Sequence, residues 1–263
     1  MMHMNHKQKK VVDKLGRIGL VAKGIVYIAM GALAFMAAFE WAGHDEKEAS
    51  RNGVFEWLQD TGGNFLLIVI SVGLACYCIW RFVQAFTDKT KKGRERLRYF
   101  FSGLAYSSVA FTAAGLALHK NKDDGDSNQH WVSEALSNSY GEIIVGIGAL
   151  IFVAIGIYQL HYGLSGKYKK HIEGLNLQDE KAKLLLKFGK IGYVSRGLVW
   201  LLLSFLLARA AWFSKASEAG DTGKAFRLVE NETYGSYILG AIGLGVIAYG
   251  IFNFVRARYG GSS

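Results

Sequence analysis

Two stretches of the chain are near copies of one another: residues 17–27 read RIGLVAKGIVY, and residues 190–200 read KIGYVSRGLVW. Five of the eleven positions are identical, and most of the others are conservative, such as Lys23 opposite Arg196. A weaker copy at 96–106, RLRYFFSGLAY, keeps a glycine and a tyrosine in register but has a serine where the others carry a cation. Each copy opens a long apolar stretch after a basic run. The chain is therefore predicted to consist of three tandem copies of one unit.

The hydrophobic residues of the chain are grouped as in a membrane protein. They make up 51% of 263 residues, and the mean hydropathy is +0.17. They form six blocks of roughly 20 residues, which is the length that crosses a hydrocarbon core about 30 Å thick. We predict an all-α integral membrane protein with six transmembrane helices at Leu15–Trp41, Gly62–Phe86, Tyr99–Leu118, Tyr140–Leu164, Phe188–Phe213 and Tyr234–Tyr259.

Each predicted unit consists of a span, an acidic loop, a short amphipathic segment and a returning span. Because a unit contains two spans, its three copies have the same orientation, and parallel repeats of this kind can adopt a pseudo-threefold arrangement. The amphipathic segments, at 53–60, 130–138 and 223–231, are predicted to form short helices at the extracytoplasmic surface. The predicted divisions are a basic cytoplasmic N-terminus (1–14), repeat 1 (15–90), repeat 2 (91–168), a cytoplasmic linker (169–183), repeat 3 (184–259) and a C-terminal tail (260–263).

The distribution of charge predicts the topology. The segments on the side of the two termini carry 20 Lys and Arg residues, whereas the opposite loops carry 8. Cationic loops remain in the cytoplasm, so both termini are predicted to be cytoplasmic. The net charge of +10 favours anionic lipid headgroups on that side as partners. Nucleic acid is not predicted as a partner, because no basic element stands apart from the membrane boundaries.

Three cations are predicted to lie inside the spans. Lys23 and Arg196 occupy equivalent positions near the cytoplasmic ends of the first and fifth spans, and Arg81 lies in the second. A charge at membrane depth needs a partner, a cavity or a route to the surface. One interpretation is that these side chains snorkel to lipid phosphates. The other is a specific site for an anion or a lipid headgroup between the helices.

The returning spans share a second pattern, with i, i+3, i+4, i+7 spacing along one helix face. It places Arg81, Gln159 and Asn253 at one repeat position. One interpretation is an aromatic belt with interfacial polar anchors. If the face instead turns inward, it lines a vestibule open to the cytoplasm, and the candidate wall residues are Gln84, Gln159, Tyr162, Asn253 and Arg256.

Small residues are frequent in the spans, and Gly24, Gly103 and Gly197 again share one repeat position. Small residues let helices approach closely, so these glycines are predicted to pack helices together. A homo-oligomer or a partner membrane protein bound through such a face is the alternative. No catalytic residue, metal site or cofactor is predicted, because no motif with the required spacing occurs.

The repeated motif resembles one in a bacterial family of integral membrane proteins catalogued as domain of unknown function 1206. The matching residues are Gly16, Gly19, Ala22, Lys23 and Gly24, and Gly189, Gly192, Tyr193, Ser195, Arg196 and Gly197. The middle copy departs from the motif, with Arg98 at a glycine position and Ser102 at the cation position. The resemblance implies the fold and a location in the bacterial cytoplasmic (inner) membrane. It implies no catalytic residue.

The sequence thus predicts a multi-pass membrane protein that is not an enzyme and that binds lipid or a partner protein. The alternative prediction is a channel or transporter for a small anionic solute, with a pathway along the pseudo-threefold axis. The polar position shared by Arg81, Gln159 and Asn253 motivates that alternative.

Overall fold

A computed structural model describes residues 6–41, 48–87, 93–118, 127–138, 140–172 and 180–260. The predicted N-terminal segment, linker and C-terminal tail therefore lie partly outside the described residues. The described residues form helices and contain no strand. The α-helices are α1 (His6–Ala38), α2 (Arg51–Thr87), α3 (Gly93–Ala117), α4 (Ser127–Leu136), α5 (Gly141–Leu164), α6 (Glu180–Phe213), α7 (Thr222–Glu230) and α8 (Gly235–Tyr259).

Six of these helices, α1, α2, α3, α5, α6 and α8, are long and apolar enough to cross a membrane. This confirms the predicted all-α fold with six candidate spans. We call the end of the bundle where α1 begins and α8 ends the terminus end, and the opposite end the loop end. Both α1 and α6 begin several residues before the predicted spans, because helix continues through their basic flanks.

The second span differs most from its prediction, because α2 begins at Arg51 and not at Gly62. A kink at Gly63, where φ is 68°, separates a short first part of α2 from the span itself. This φ lies in the region that glycine adopts without the steric cost of a Cβ. Gly141 and Gly235 hold the equivalent repeat positions, and there a Cβ would lie within 2.4 Å of a carbonyl oxygen of the preceding short helix. One repeat position thus requires glycine for two different reasons.

The three predicted amphipathic segments are helical. They form the first part of α2, most of α4 and most of α7. Val54, Phe55 and Phe226 are completely buried and belong to the main apolar core, together with side chains from α1, α2, α3, α6 and α8. The short segments of the first and third units therefore close the loop end of the bundle with packed apolar side chains.

The six long helices follow one another around the bundle in the order α3, α2, α1, α8, α6, α5, each packed against its neighbours. The two spans of the first unit, α1 and α2, are packed together, and so are the two spans of the third unit, α6 and α8. In the described residues α3 and α5, the spans of the middle unit, are not packed along their lengths. A hydrogen bond of 2.5 Å from Arg98 of α3 to the hydroxyl of Tyr158 of α5 links them.

Glycines explain why the first and third pairs cross so closely. A Cβ on Gly19 would lie 2.5 Å from the Cα of Tyr77, and a Cβ on Gly192 would lie 2.5 Å from the Cα of Tyr249. Backbone thus lies against backbone at equivalent points of the two pairs, as small residues permit in membrane helices.

The middle pair lacks each of these small residues. Arg98 stands at the position of Gly19 and Gly192. Phe101 stands at the position of Ala22 and Ser195, and Ile151 at that of Gly73 and Gly245, which contact one another in the closed pairs. Three large side chains cannot occupy a crossing that glycine backbones fill, so α3 and α5 stand apart.

The predicted packing glycines lie at the contacts between units. A Cβ on Gly24 would lie 2.8 Å from Phe254 of α8, and one on Gly197 would lie 2.9 Å from Leu160 of α5. For Gly103 the neighbour is Phe82 of α2, at 3.0 Å. Each glycine therefore faces the returning span of another unit, and the three neighbours themselves share one repeat position.

Candidate functional site

Lys23 lies in the bundle interior, with only 3% of its surface exposed. Its Nζ donates a hydrogen bond to the hydroxyl of Tyr77, with 3.4 Å between the two atoms. Four tyrosine rings surround the ammonium group, with centroids 4.5 Å (Tyr106), 4.9 Å (Tyr77), 5.5 Å (Tyr249) and 5.8 Å (Tyr27) from Nζ. Ring faces at these distances attract a cation. Lys23 is therefore enclosed by tyrosines and does not snorkel to the surface.

Arg196, the repeat equivalent of Lys23, has the equivalent partner. It donates a hydrogen bond to the hydroxyl of Tyr249, which matches Tyr77 in the repeat. Its guanidinium carbon lies 4.8 Å from the Tyr249 ring centroid and 5.2 Å from that of Tyr27. The first and third units thus each pair a cation with a tyrosine at equivalent repeat positions.

Arg81 and Arg256 complete the group of interior cations. The Nε of Arg81 donates a hydrogen bond of 2.9 Å to the Tyr77 hydroxyl, which Lys23 also approaches. Arg256 is half-buried on α8 and lies within electrostatic range of Tyr193, Tyr77 and Tyr249. We call this group the cation–tyrosine cluster; it comprises Lys23, Arg81, Arg196 and Arg256 with Tyr27, Tyr77, Tyr106, Tyr193 and Tyr249.

The cluster concentrates four cationic side chains. No carboxylate of the described residues forms an ion pair with any of its four cations; Arg209 and Glu218, near the loop end, form an ion pair elsewhere. The Lys23 ammonium and the Arg81 guanidinium donate to the same hydroxyl, and like charges held this close repel one another. An anion placed here would be strongly attracted.

The predicted vestibule residues divide into two groups. Gln84, Tyr162 and Arg256 are half-buried, and the amide oxygen of Gln84 accepts a hydrogen bond of 3.0 Å from Arg81. Gln159 and Asn253 are buried, with 7% and 0% of their surfaces exposed. The Nδ2 of Asn253 donates to the carbonyl oxygen of Tyr249, but the side-chain oxygens of both amides accept no hydrogen bond from the described residues. The shared polar position therefore faces protein in the second and third units.

A short segment between α5 and α6 covers the terminus end of the third unit. Tyr168 lies in a 3-10 helix (Lys167–His171), and its hydroxyl donates a hydrogen bond of 2.8 Å to the carbonyl oxygen of Leu186. Burial raises the pKa of Tyr168, so its hydroxyl stays protonated. Its ring contacts those of Tyr193 and Phe252, at 5.8 and 5.4 Å between centroids. This segment shields the cluster from one side.

The sequence predicts three of the interior cations as an anion site, and it places Tyr77 and Tyr249 on the helix face interpreted as an aromatic belt or a vestibule wall, not as partners of those cations. Tyr27 and Tyr106 share a repeat position, and their hydroxyls lie 3.1 Å apart in the structure. The recurrence of tyrosine at this repeat position is the sequence signal that could have identified both residues. Tyr193 corresponds to Tyr99 of the middle unit and to Leu20 of the first, so the same signal recurs at this position in two units.

No cluster of His, Cys, Asp or Glu in the described part of the chain could hold a metal ion. Cys76 and Cys78 are free thiols, the first half-buried and the second buried.

Six apolar spans with a cationic interior define a polytopic α-helical membrane protein built from repeated helix pairs. The chain belongs to the family described as Domain of Unknown Function (DUF1206), whose model matches three times, at residues 18–88, 97–166 and 191–260. The resemblance drawn from the motifs is thereby confirmed, including for the divergent middle copy.

The chain is also similar to the uncharacterized protein YxxB of Bacillus subtilis (strain 168). The two are 25% identical over 265 residues, which cover 98% of this chain and 95% of the relative. No solved structure shows a significant match. The activity of the family is not established by these relatives.

Proposed function

We propose that this protein is a non-enzymatic membrane protein that binds an anionic ligand, the headgroup of a membrane lipid, at the cation–tyrosine cluster. The observation that carries the proposal is the buried Lys23, grouped with three arginines and no carboxylate of the described residues. A buried charge is costly unless it is paired. An anionic headgroup supplies the missing countercharge, and guanidinium groups suit phosphate oxygens in particular.

The arrangement that serves this function is a ring of three parallel units around a pseudo-threefold axis. It is supported by the helix order and by the three glycines that face the equivalent residue of another unit. We further place the protein in the bacterial cytoplasmic membrane with both termini inside. The excess of Lys and Arg on the terminus side supports that topology.

The test is lipid retention and thermal stability of the protein purified in a neutral detergent. We expect phosphatidylglycerol to remain bound in native mass spectra and to raise the melting temperature more than phosphatidylcholine does. A ligand at a hundred times its Kd adds about 2.7 kcal/mol to the free energy of unfolding. The double variant Lys23→Met/Arg196→Met should lose both effects, because it removes two cluster charges while keeping side-chain volume.

The matched control is Arg17→Met/Arg258→Met, which removes the same charge from two exposed positions on α1 and α8. It should retain the lipid. Loss of phosphatidylglycerol in the control variant, with binding intact in Lys23→Met/Arg196→Met, would overturn the proposal in favour of an external lipid site.

A second candidate function is transport of a small anion through the bundle. It is favoured by the buried amide oxygens of Gln159 and Asn253, at the repeat position of Arg81, which accept no hydrogen bond from any described residue. Reconstituted protein should then carry phosphate into liposomes, and Arg81→Leu should abolish the flux. Absence of flux in wild-type proteoliposomes that bind phosphatidylglycerol would exclude this candidate.

A further inference from the structure

The gap between α3 and α5 distinguishes the middle unit from the first and third units, whose two spans pack together. We call it the α3–α5 crevice and define it by Arg98 and Phe101 on α3 and Ile151 and Tyr158 on α5. Phe101 and Ile151 are 58% and 53% exposed. Their equivalents in the closed pairs, Ala22 with Gly73 and Ser195 with Gly245, are in contact.

Building on the proposed function, we infer that the α3–α5 crevice admits the acyl chains of an anionic lipid sideways from the bilayer. The ligand of the cluster is then a lipid that enters laterally, and not an anion that enters from water. The polarity of the crevice, its connection to the cluster and its exposure each support this inference.

The crevice changes from polar to apolar with depth. Arg98 and Tyr158 lie near its terminus end, where they are exposed and hydrogen-bonded to one another. Ile151 precedes Tyr158 by two helical turns of α5, which places it about 10 Å nearer the loop end. The crevice thus has a cation and a phenol at its terminus end and apolar side chains toward the loop end. This order matches a lipid whose headgroup lies at the terminus end and whose acyl chains extend toward the loop end.

Both walls of the crevice lead to the cluster. On α5, the ring of Tyr158 stacks on Tyr162 at 5.8 Å between centroids, and Tyr162 contacts Tyr193 of α6 at 4.9 Å. On α3, Tyr106 lies 4.5 Å from the ammonium group of Lys23. Tyr106 on one side, and the contacts from Tyr158 through Tyr162 to Tyr193 on the other, thus connect the two helices that bound the crevice to the cluster.

Arg98, which occupies the position of a packing glycine, also places a positive charge at the terminus end of the crevice. Arg98 replaces the glycine that lets the other pairs close, and it brings a guanidinium group to the entrance. Charge complementarity thus selects an anionic amphiphile as the occupant. A neutral apolar molecule would gain nothing from Arg98 or from the four cations behind it.

The experiment compares Ile151→Trp, which fills the crevice, with Ile157→Trp, which adds the same bulk at another exposed position of α5. We expect phosphatidylglycerol to bind at least about tenfold more weakly to Ile151→Trp. The larger side chain would exclude an acyl chain from the crevice, and losing the burial of one large apolar group weakens binding by about that factor. Ile157→Trp should bind as wild type does. Phe101→Trp, with Phe111→Trp as its control, repeats the test from α3 if Ile151→Trp does not fold.

Glycerol phosphate, the water-soluble form of the headgroup, separates the two proposals. We expect it to bind far more weakly than phosphatidylglycerol. Equal binding of the two, or undiminished lipid binding in both crevice variants, would overturn lateral entry while leaving the anion site intact. If Lys23→Met/Arg196→Met binds both compounds as tightly as the wild type does, the proposed function fails instead.

Discussion

Gly19→Leu is expected to prevent stable folding, and Gly192→Leu is expected to do the same. At each position even a Cβ would lie 2.5 Å from the backbone of the partner helix, so α1 and α2, or α6 and α8, would have to separate along their lengths. Overpacking costs about 1–3 kcal/mol where side chains can move aside. Here the obstacle is backbone, so we expect the free energy of unfolding to fall by more than about 3 kcal/mol.

The measurement is the fraction of monodisperse protein after detergent extraction, together with its melting temperature. Two controls isolate the cause. Gly148→Leu places the same side chain on α5, where nothing lies within 4 Å of a Cβ, and Arg98→Leu changes the equivalent position of the open pair. Both should fold. A Gly19→Leu variant as stable as Gly148→Leu would show that α1 and α2 do not cross at this point.

Tyr77→Phe is expected to cause the second-largest loss, of about 2–3 kcal/mol in the ligand-free protein. The hydroxyl of Tyr77 accepts hydrogen bonds from Lys23 and Arg81, and hydrogen bonds to charged groups contribute about 1.5–3 kcal/mol. The ring remains in the variant, so the cation–π attraction is retained and only the hydroxyl is tested. Tyr237→Phe, at a position that is 72% exposed, should have no measurable effect on the melting temperature.

A double-mutant cycle with Lys23→Met tests the physical reason. If the loss in Tyr77→Phe comes from a buried cation without its acceptor, removing the cation should restore much of the stability, and the two substitutions will be non-additive. Strict additivity would mean that Tyr77 and Lys23 act independently, contrary to the arrangement of the cluster.

Hydrophobic blocks and repeat spacing, which are local properties, were enough to predict the six spans and the family. Span length follows from membrane thickness, and each block is contiguous in the chain. The bounds were less accurate, because helix continues beyond the apolar residues: α1 begins at His6 and α2 at Arg51. Basic and acidic flanks end the hydrophobic signal without ending the helix.

The candidate site was only partly predictable. A charge within an apolar block is conspicuous, so Lys23, Arg81 and Arg196 could be selected from the sequence. The tyrosines could not, because aromatic residues near the ends of spans are also typical of an interfacial belt. Whether Tyr77 and Tyr249 face lipid or protein depends on how each helix is rotated, and that is decided by the neighbours it packs against.

The sequence alone determined that the chain has three units of two spans, which of their positions correspond, and where charge enters the apolar blocks, since each of these is a property of residue order. Only the tertiary structure decided that cations of the first and third units converge on shared tyrosines. It also decided that the middle pair stands open. The departure at Arg98 is visible in the sequence, but its consequence depends on backbone contacts that Gly19 and Gly192 make across helices distant in the chain.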